Sequence, residues 1–174
     1  RSRGLGDVYK RQVNNTINGV EQCHSYFEAK DLFPEFLYFT GRKNYVYTLI
    51  AEKKSTVLWI PVHVLEEMLE KDQGLMYALL LYVCQRGLKD QLYLNCLNYQ
   101  TIRERIAYWI VGLHNLSPVE SVHMPGSQLI LANMLHVSRS SLNQELKLMQ
   151  KDGYFKVRGR EMYELDEEKL NALL

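Results

Sequence analysis

The spacing of hydrophobic residues along the chain changes period at residue 61. Over residues 13–27 apolar and polar positions alternate in short runs around Asn18-Gly19, a dipeptide that favours the positive φ angles of a tight hairpin turn, which predicts two short antiparallel strands. A second pair is predicted over residues 45–50 and 56–60, rich in β-branched and aromatic side chains and joined by the polar turn Glu52-Lys53-Lys54-Ser55. At Pro61 the period shifts from two to about 3.6 through Val64, Leu65, Met68 and Leu69, because proline suits a first helical turn. Asp72 is placed to cap a long helix running to about residue 95, with Leu75, Leu79 and Tyr82 on one stripe and Leu81, Leu88 and Leu92 on another. Two apolar faces imply two partners, the chain's own β region and a second copy. The central helix of a monomeric bundle fits a single stripe almost as well. Ile102, Ile106, Trp109, Ile110 and Leu113 predict a further helix over residues 99–116, ended by Ser117-Pro118.

After Pro125-Gly126 the pattern becomes more specific. Ser127 can cap a short helix carrying Leu129, Leu131, Ala132 and Leu135, and His136-Val137 makes a short turn before Ser138 caps a second helix over residues 139–151. Two helices joined this closely form a helix-turn-helix unit. Leu142, Leu146 and Met149 mark the inward side of the second helix. Ser140, Gln144, Lys147 and Lys151 stand opposite, with Arg139 and Asn143 on the shoulder. Such residue types suit a DNA major groove, since arginine pairs with guanine, glutamine or asparagine with adenine, and lysine with phosphate. A merely solvated face would also be polar. Asp152-Gly153 then stops the helix, and residues 154–157 and 162–165 flank Arg158-Gly159-Arg160, predicting a two-stranded wing with a basic tip.

Charge adds only a local signal. The 174 residues carry a net charge of +1, too little to advertise nucleic-acid binding by itself. Residues 1–12 look like translated sequencing-adaptor sequence and are set aside; without their four basic and one acidic residues the remainder stands at −2. Over residues 118–163, however, six Lys/Arg face four Asp/Glu, and the cations fall on the second helix and the wing. Cys23, Cys84 and Cys96 lie far apart with no C-x-x-C pair, which predicts a reducing, cytoplasmic setting and no disulfide framework. His24 beside Cys23 lacks a second pair at ligand spacing, so neither a metal site nor a cofactor is expected. The apolar run of residues 75–84 is too short to span a bilayer, and no membrane association is expected. No Ser-His-Asp arrangement, phosphate loop or catalytic carboxylate pair stands out, so the expectation is a binding protein and not an enzyme.

Residues 127–146 read S-Q-L-I-L-A-N-M-L-H-V-S-R-S-S-L-N-Q-E-L, and this segment resembles the helix-turn-helix signature of the Crp/Fnr family of transcription regulators. Arg105-Ile106-Ala107 likewise resembles the family's linker helix. The resemblance runs from about residue 13 to the end and implies an α+β fold: part of a cupin-like antiparallel β-roll sensor (residues 13–71), a dimerisation helix (72–97) and a winged helix-turn-helix (98–174), the front of the sensor being absent. It implies base contacts at Arg139, Ser140 and Gln144 with Ser138 and Ser141 near phosphate, to which the polar helix face and the basic wing add Asn143, Lys147, Arg158 and Arg160 as expected DNA contacts, and it implies a dimer helix, expected to use Leu75, Leu79, Tyr82 and Arg86. Implied partners are double-stranded DNA, a second copy, RNA polymerase and a small-molecule effector.

Departures from the family pattern bear on recognition. Ser140 stands where glutamate is usual and Gln144 where arginine is usual, so the operator should differ from the common half-site. His136 replaces the turn glycine, which strains a non-glycine residue wherever a positive φ is required. In the effector cassette Phe33-Pro34-Glu35 and Asn44-Tyr45-Val46 replace F-G-E and R-[ST]-A. A phosphate pocket needs N–H donors and a fixed cation, so Glu35, Asn44 and Tyr45 mark a pocket that should not take cyclic AMP. Iron-sulfur sensing stays open, as does a haem ligand such as His24 or His63. The competing function is a signalling module whose C-terminal domain docks a protein instead of DNA.

Overall fold

In the computed structural model residues 10–17, 20–33, 37–42, 44, 48–51, 54–116 and 121–174 are described, residues 10–25 and 48 by backbone alone. Strands β1 (Lys10–Ile17) and β2 (Val20–Phe27) are antiparallel, with Ile17 opposite Val20, while the expected turn residues Asn18 and Gly19 lie outside the described residues. Strand β3 (Thr48–Ala51) adds to the other edge of β1, giving the order β2-β1-β3. β1 therefore begins at Lys10, inside the segment that the sequence sets aside. Helix α1 (Leu37–Thr40) is a single turn.

One expected strand does not form. Residues 54–61 have no ladder partner among the described residues, and Val57, Leu58, Trp59 and Ile60 are exposed. β-branched and aromatic residues fit a pleated surface only when a neighbouring strand supplies it. Helix follows directly, in α2 (Val62–Lys71), with Pro61 as N-cap residue.

Helix α3 (Gln73–Cys96) is capped by Asp72, whose carboxylate accepts a 3.0 Å hydrogen bond from the Leu75 amide. Its first stripe packs on the chain itself, which corrects the expected dimer surface. Leu79 and Arg86 are buried, Leu75 is half-buried, and the Tyr82 hydroxyl bonds both the N–H and the C=O of Leu32 at 3.0 Å. Arg86 donates to the Tyr26 carbonyl at 3.1 Å and lies over the Phe27 ring at 4.6 Å, so its cation ties α3 to the end of β2. The uncovered apolar stripe is Tyr77, Leu81, Cys84 and Leu88, flanked by Leu80. These positions alternate by four and three residues, the spacing of a coiled-coil seam. Leu92, expected on this stripe, is instead buried by the next helix.

That helix, α4 (Ile102–Leu116), starts three residues later than expected because Thr101 and Glu104 form a capping box. The Glu104 N–H donates to Thr101 Oγ1 at 3.1 Å and the Thr101 N–H to Glu104 Oε2 at 2.9 Å. α3 and α4 approach closely at Gly112, where a Cβ would collide with Leu92 Cδ1. Trp109, Ile106 and Ile110 project from α4 into the C-terminal core with Leu131, Leu135, Leu142, Met149 and Met162. Two elements not expected from the sequence complete this domain: strand β4 (Ser121–His123), which adds a third strand to the wing sheet, and α7 (Glu167–Asn171), whose Leu170 is fully buried. Among the described residues no helix is long and apolar enough to cross a membrane.

Candidate nucleic-acid interface

Helix α5 (Gln128–Met134) and helix α6 (Arg139–Lys151) form the helix-turn-helix. Ser127 Oγ accepts from the Ile130 amide at 3.3 Å, and Ser138 Oγ accepts from the Ser141 amide at 3.0 Å, so both expected caps form. Between them the chain turns back through His136, at φ 54°. The His136 N–H reaches Asn133 O at 3.2 Å and the Val137 N–H reaches Ala132 O at 2.9 Å, the paired bonds of a Schellman stop that demands a left-handed residue. Arg105 secures the turn from below, donating to the Leu135 carbonyl and to the Tyr99 carbonyl, each at 2.8 Å. Its resemblance to the family's linker arginine thus has a structural counterpart.

Leu142, Leu146 and Met149 anchor α6 in the core. Opposite them Ser140, Gln144, Lys147 and Lys151 are all exposed, as is Arg139 on the shoulder. Among the described residues none of Arg139, Lys147 and Lys151 has an ion-pair partner, so their charge is available to a polyanion. Ser140 is less free than expected, because its hydroxyl lies 2.8 Å from Ser138 Oγ, as does that of Ser141. Asn143 is half-buried on the shoulder, and its Oδ1 is covered with no hydrogen-bond partner. Its orientation therefore favours packing over base contact.

Gly153, at φ 79°, ends α6, and the wing follows as β5 (Lys156–Arg158) and β6 (Glu161–Tyr163) around Gly159 at φ 65°. The sheet order is β4-β6-β5. The two wing arginines part company. Arg158 is exposed at the tip but bonded to Glu161 at 2.8 Å, which holds the Glu161 carboxyl below its usual range with help from the Ser121 hydroxyl. Arg160 turns back toward the body, reaching Gly126 O at 3.5 Å and lying 4.0 Å from Glu28 at the end of β2. Lys156 is paired with Glu164.

In the expected effector pocket, Asn44 is exposed on a bend, while Glu35 and Tyr45 lie outside the described residues. No cluster of three metal-ligating side chains occurs among the described residues. Sequence reasoning missed one charged residue at this interface: Arg103 on α4 bonds Glu145 Oε1 at 2.6 Å and Asp152 Oδ2 at 3.1 Å, both on the flank of α6. Nothing local in the sequence marks a pair so far apart.

Residues 104–173 match the family described as the Crp-like helix-turn-helix domain. No curated protein sequence matches the chain. Among solved structures, FixK2 from Bradyrhizobium japonicum is similar with a TM-score of 0.67 at 16% identity, over 96% of this chain and 86% of its own. A CRP-family transcriptional regulator from Thermus thermophilus gives a TM-score of 0.61 at 20% identity, over 97% of this chain and 85% of its own. The c-di-GMP responsive global regulator CLP of Xanthomonas campestris gives 0.58 at 20%, over 91% of this chain and 84% of its own. At such identities the likeness is one of fold, and it agrees with the helix-turn-helix just described. Residues 104–173 are thus a Crp-like helix-turn-helix domain, carried on a chain with the fold of a Crp/Fnr-type DNA-binding transcription regulator.

Proposed function

We propose that the chain is a cytoplasmic, sequence-specific transcription regulator that binds double-stranded DNA as a homodimer. The observation that carries the reading is the exposed face of α6, where Gln144 and three cations, Arg139, Lys147 and Lys151, without ion-pair partners among the described residues, lie away from a buried apolar side. Arg139 and Gln144 are assigned to base edges, Lys147, Lys151 and the N-terminus of α6 to phosphates, and Arg158 to the backbone beside the wing. The stripe Tyr77, Leu81, Cys84 and Leu88 pairs with its copy in parallel, so that both helix-turn-helix heads meet one face of the duplex at half-sites about one turn apart. RNA polymerase is the further partner that a regulator of this kind engages.

An effector would act by shifting the population of two settings of the DNA head. Support for such coupling is the packing of Tyr26, at the end of β2, against the helix-turn-helix core and, edge to face at 6.4 Å, against Tyr93 of α3. On sequence grounds the effector is not cyclic AMP, since Pro34 lacks an N–H and Asn44 lacks a charge; tight binding of cyclic AMP in a calorimeter would reject this.

Selection from a random duplex pool, followed by titration of the winning site, tests the whole reading. Arg139→Ala is expected to lose discrimination between that site and its one-base variants by about 1–3 kcal/mol. Mild oxidation should also link Cys84 to Cys84 across the seam, giving a covalent dimer that the Cys84→Ser variant does not form. No enrichment in the selection, or a monomer in solution, would refute the proposal.

A further inference from the structure

We propose that Arg103 is the positioning residue of the recognition helix: from α4 it holds α6 at two points and offsets part of the negative charge of two carboxylates that stand beside the path of the DNA phosphates. The inference rests on the DNA-binding reading above. Glu145 follows Gln144 directly, and Asp152 is the C-cap residue of α6. Their seven-position separation corresponds to two helical turns, a rise of about 10 Å. On a helical projection both lie between the buried leucine side and the groove-facing side, along one edge. A carboxylate there stands beside the path of the phosphate backbone, where an unpaired negative charge opposes binding.

One guanidinium answers both. Its Nε donates to Glu145 Oε1 at 2.6 Å and its Nη1 lies 3.1 Å from Asp152 Oδ2, while its Cζ lies 5.6 Å from the centre of the Tyr154 ring, where the chain leaves α6 for the wing. Arg103 and Glu145 are each largely covered, at 29% and 21% side-chain exposure, so the pair is better shielded than an ordinary surface salt bridge. A rigid planar fork with several donors can satisfy two separated acceptors, which a lysine ammonium cannot do in the same fixed geometry. Contact at two points along the axis resists both rolling and sliding of α6 against α4. Small displacements matter here, because bidentate base contacts tolerate little misplacement.

The test measures the full-length chain against its selected operator, one-base variants of that operator and an unrelated duplex. The wild-type arm comes first: failure to prefer the operator sinks the DNA reading and this inference with it. Given that preference, Arg103→Met is expected to weaken operator binding at least tenfold and the unrelated duplex by a few-fold only. Arg103→Lys should restore the affinity for unrelated DNA but not the discrimination among one-base variants. Adding Glu145→Gln to Arg103→Met should likewise recover general affinity without recovering discrimination. Should Arg103→Met fail to fold, Glu145→Gln alone decides, with an expected several-fold loss of discrimination while general affinity is held or raised. Full discrimination in Arg103→Met or in Glu145→Gln overturns the proposal. So does an equal loss on every duplex with a shallower salt dependence, which would make Arg103 a phosphate contact.

Discussion

Replacing Lys147 by alanine offers a test of whether charge on α6 meets phosphate, because its outcome can be set against a second lysine. Lys147 is exposed near the middle of the outward face and has no ion-pair partner among the described residues. Lys156 lies on β5 and is already engaged with Glu164, whose hydrogen bond and charge raise the lysine above its ordinary pKa. Each phosphate neutralised on duplex DNA contributes about 0.9 to the slope of log affinity against log salt. The proposed homodimer would present Lys147 twice, so Lys147→Ala should make the slope shallower by about 1.8. Between 50 and 200 mM salt this removes roughly a tenfold part of the affinity loss suffered by the wild-type protein. Lys156→Ala should change the slope by less than half as much, since its ammonium would have to leave Glu164 to reach the backbone. Fluorescence anisotropy on one labelled duplex across a salt series measures both. Equal slopes for wild type and Lys147→Ala, or a larger change for Lys156→Ala, would show that the outward side of α6 does not lie on DNA.

Further expectations follow from individual residues. His136→Gly should raise the stability of the helix-turn-helix domain by about 0.5–1 kcal/mol, read as a higher melting temperature, because glycine relieves the left-handed strain at φ 54° at a smaller entropic cost. Trp109→Ala, in the centre of the C-terminal core, should cost about 3–5 kcal/mol in denaturant unfolding. Gly112→Leu should loosen the α3–α4 contact, since even a Cβ there meets Leu92, and lower both stability and the cooperativity of unfolding. Burial pushes the Cys96 thiol up from its ordinary 9.0 to about 12. The folded state therefore retains a proton that the unfolded state loses, and this contribution to stability, complete below pH 9, should fade between pH 9 and 12. At pH 8 Cys96 should stay unreactive toward thiol reagents until the protein unfolds, which a timed labelling experiment in denaturant would read.

Local signals fixed much of this chain before any packing was known. Asn18-Gly19 specified the first hairpin, Pro61 and Asp72 the starts of α2 and α3, and Ser127, Ser138 and Gly153 the limits of the helix-turn-helix, because each acts through backbone geometry within a few residues of itself. The strain at His136 was legible for the same reason. The Thr101-Glu104 capping box and the Asp166 cap of α7 were equally local and open to the same reading. What depended on a distant partner was not legible. The residues 56–60 have the composition of a strand, yet composition supplies no neighbouring ladder. The two apolar faces of α3 were evident from periodicity, but which of them turned inward was decided by Tyr26, Phe27 and Leu32 meeting Arg86 and Tyr82. The Arg103 clamp, 42 residues from Glu145 in sequence, arose only when α4 crossed α6. Sequence determined the elements and the chemistry that they carry; tertiary contact decided which cations were engaged and which stayed open to DNA, because pairing depends on distance in space.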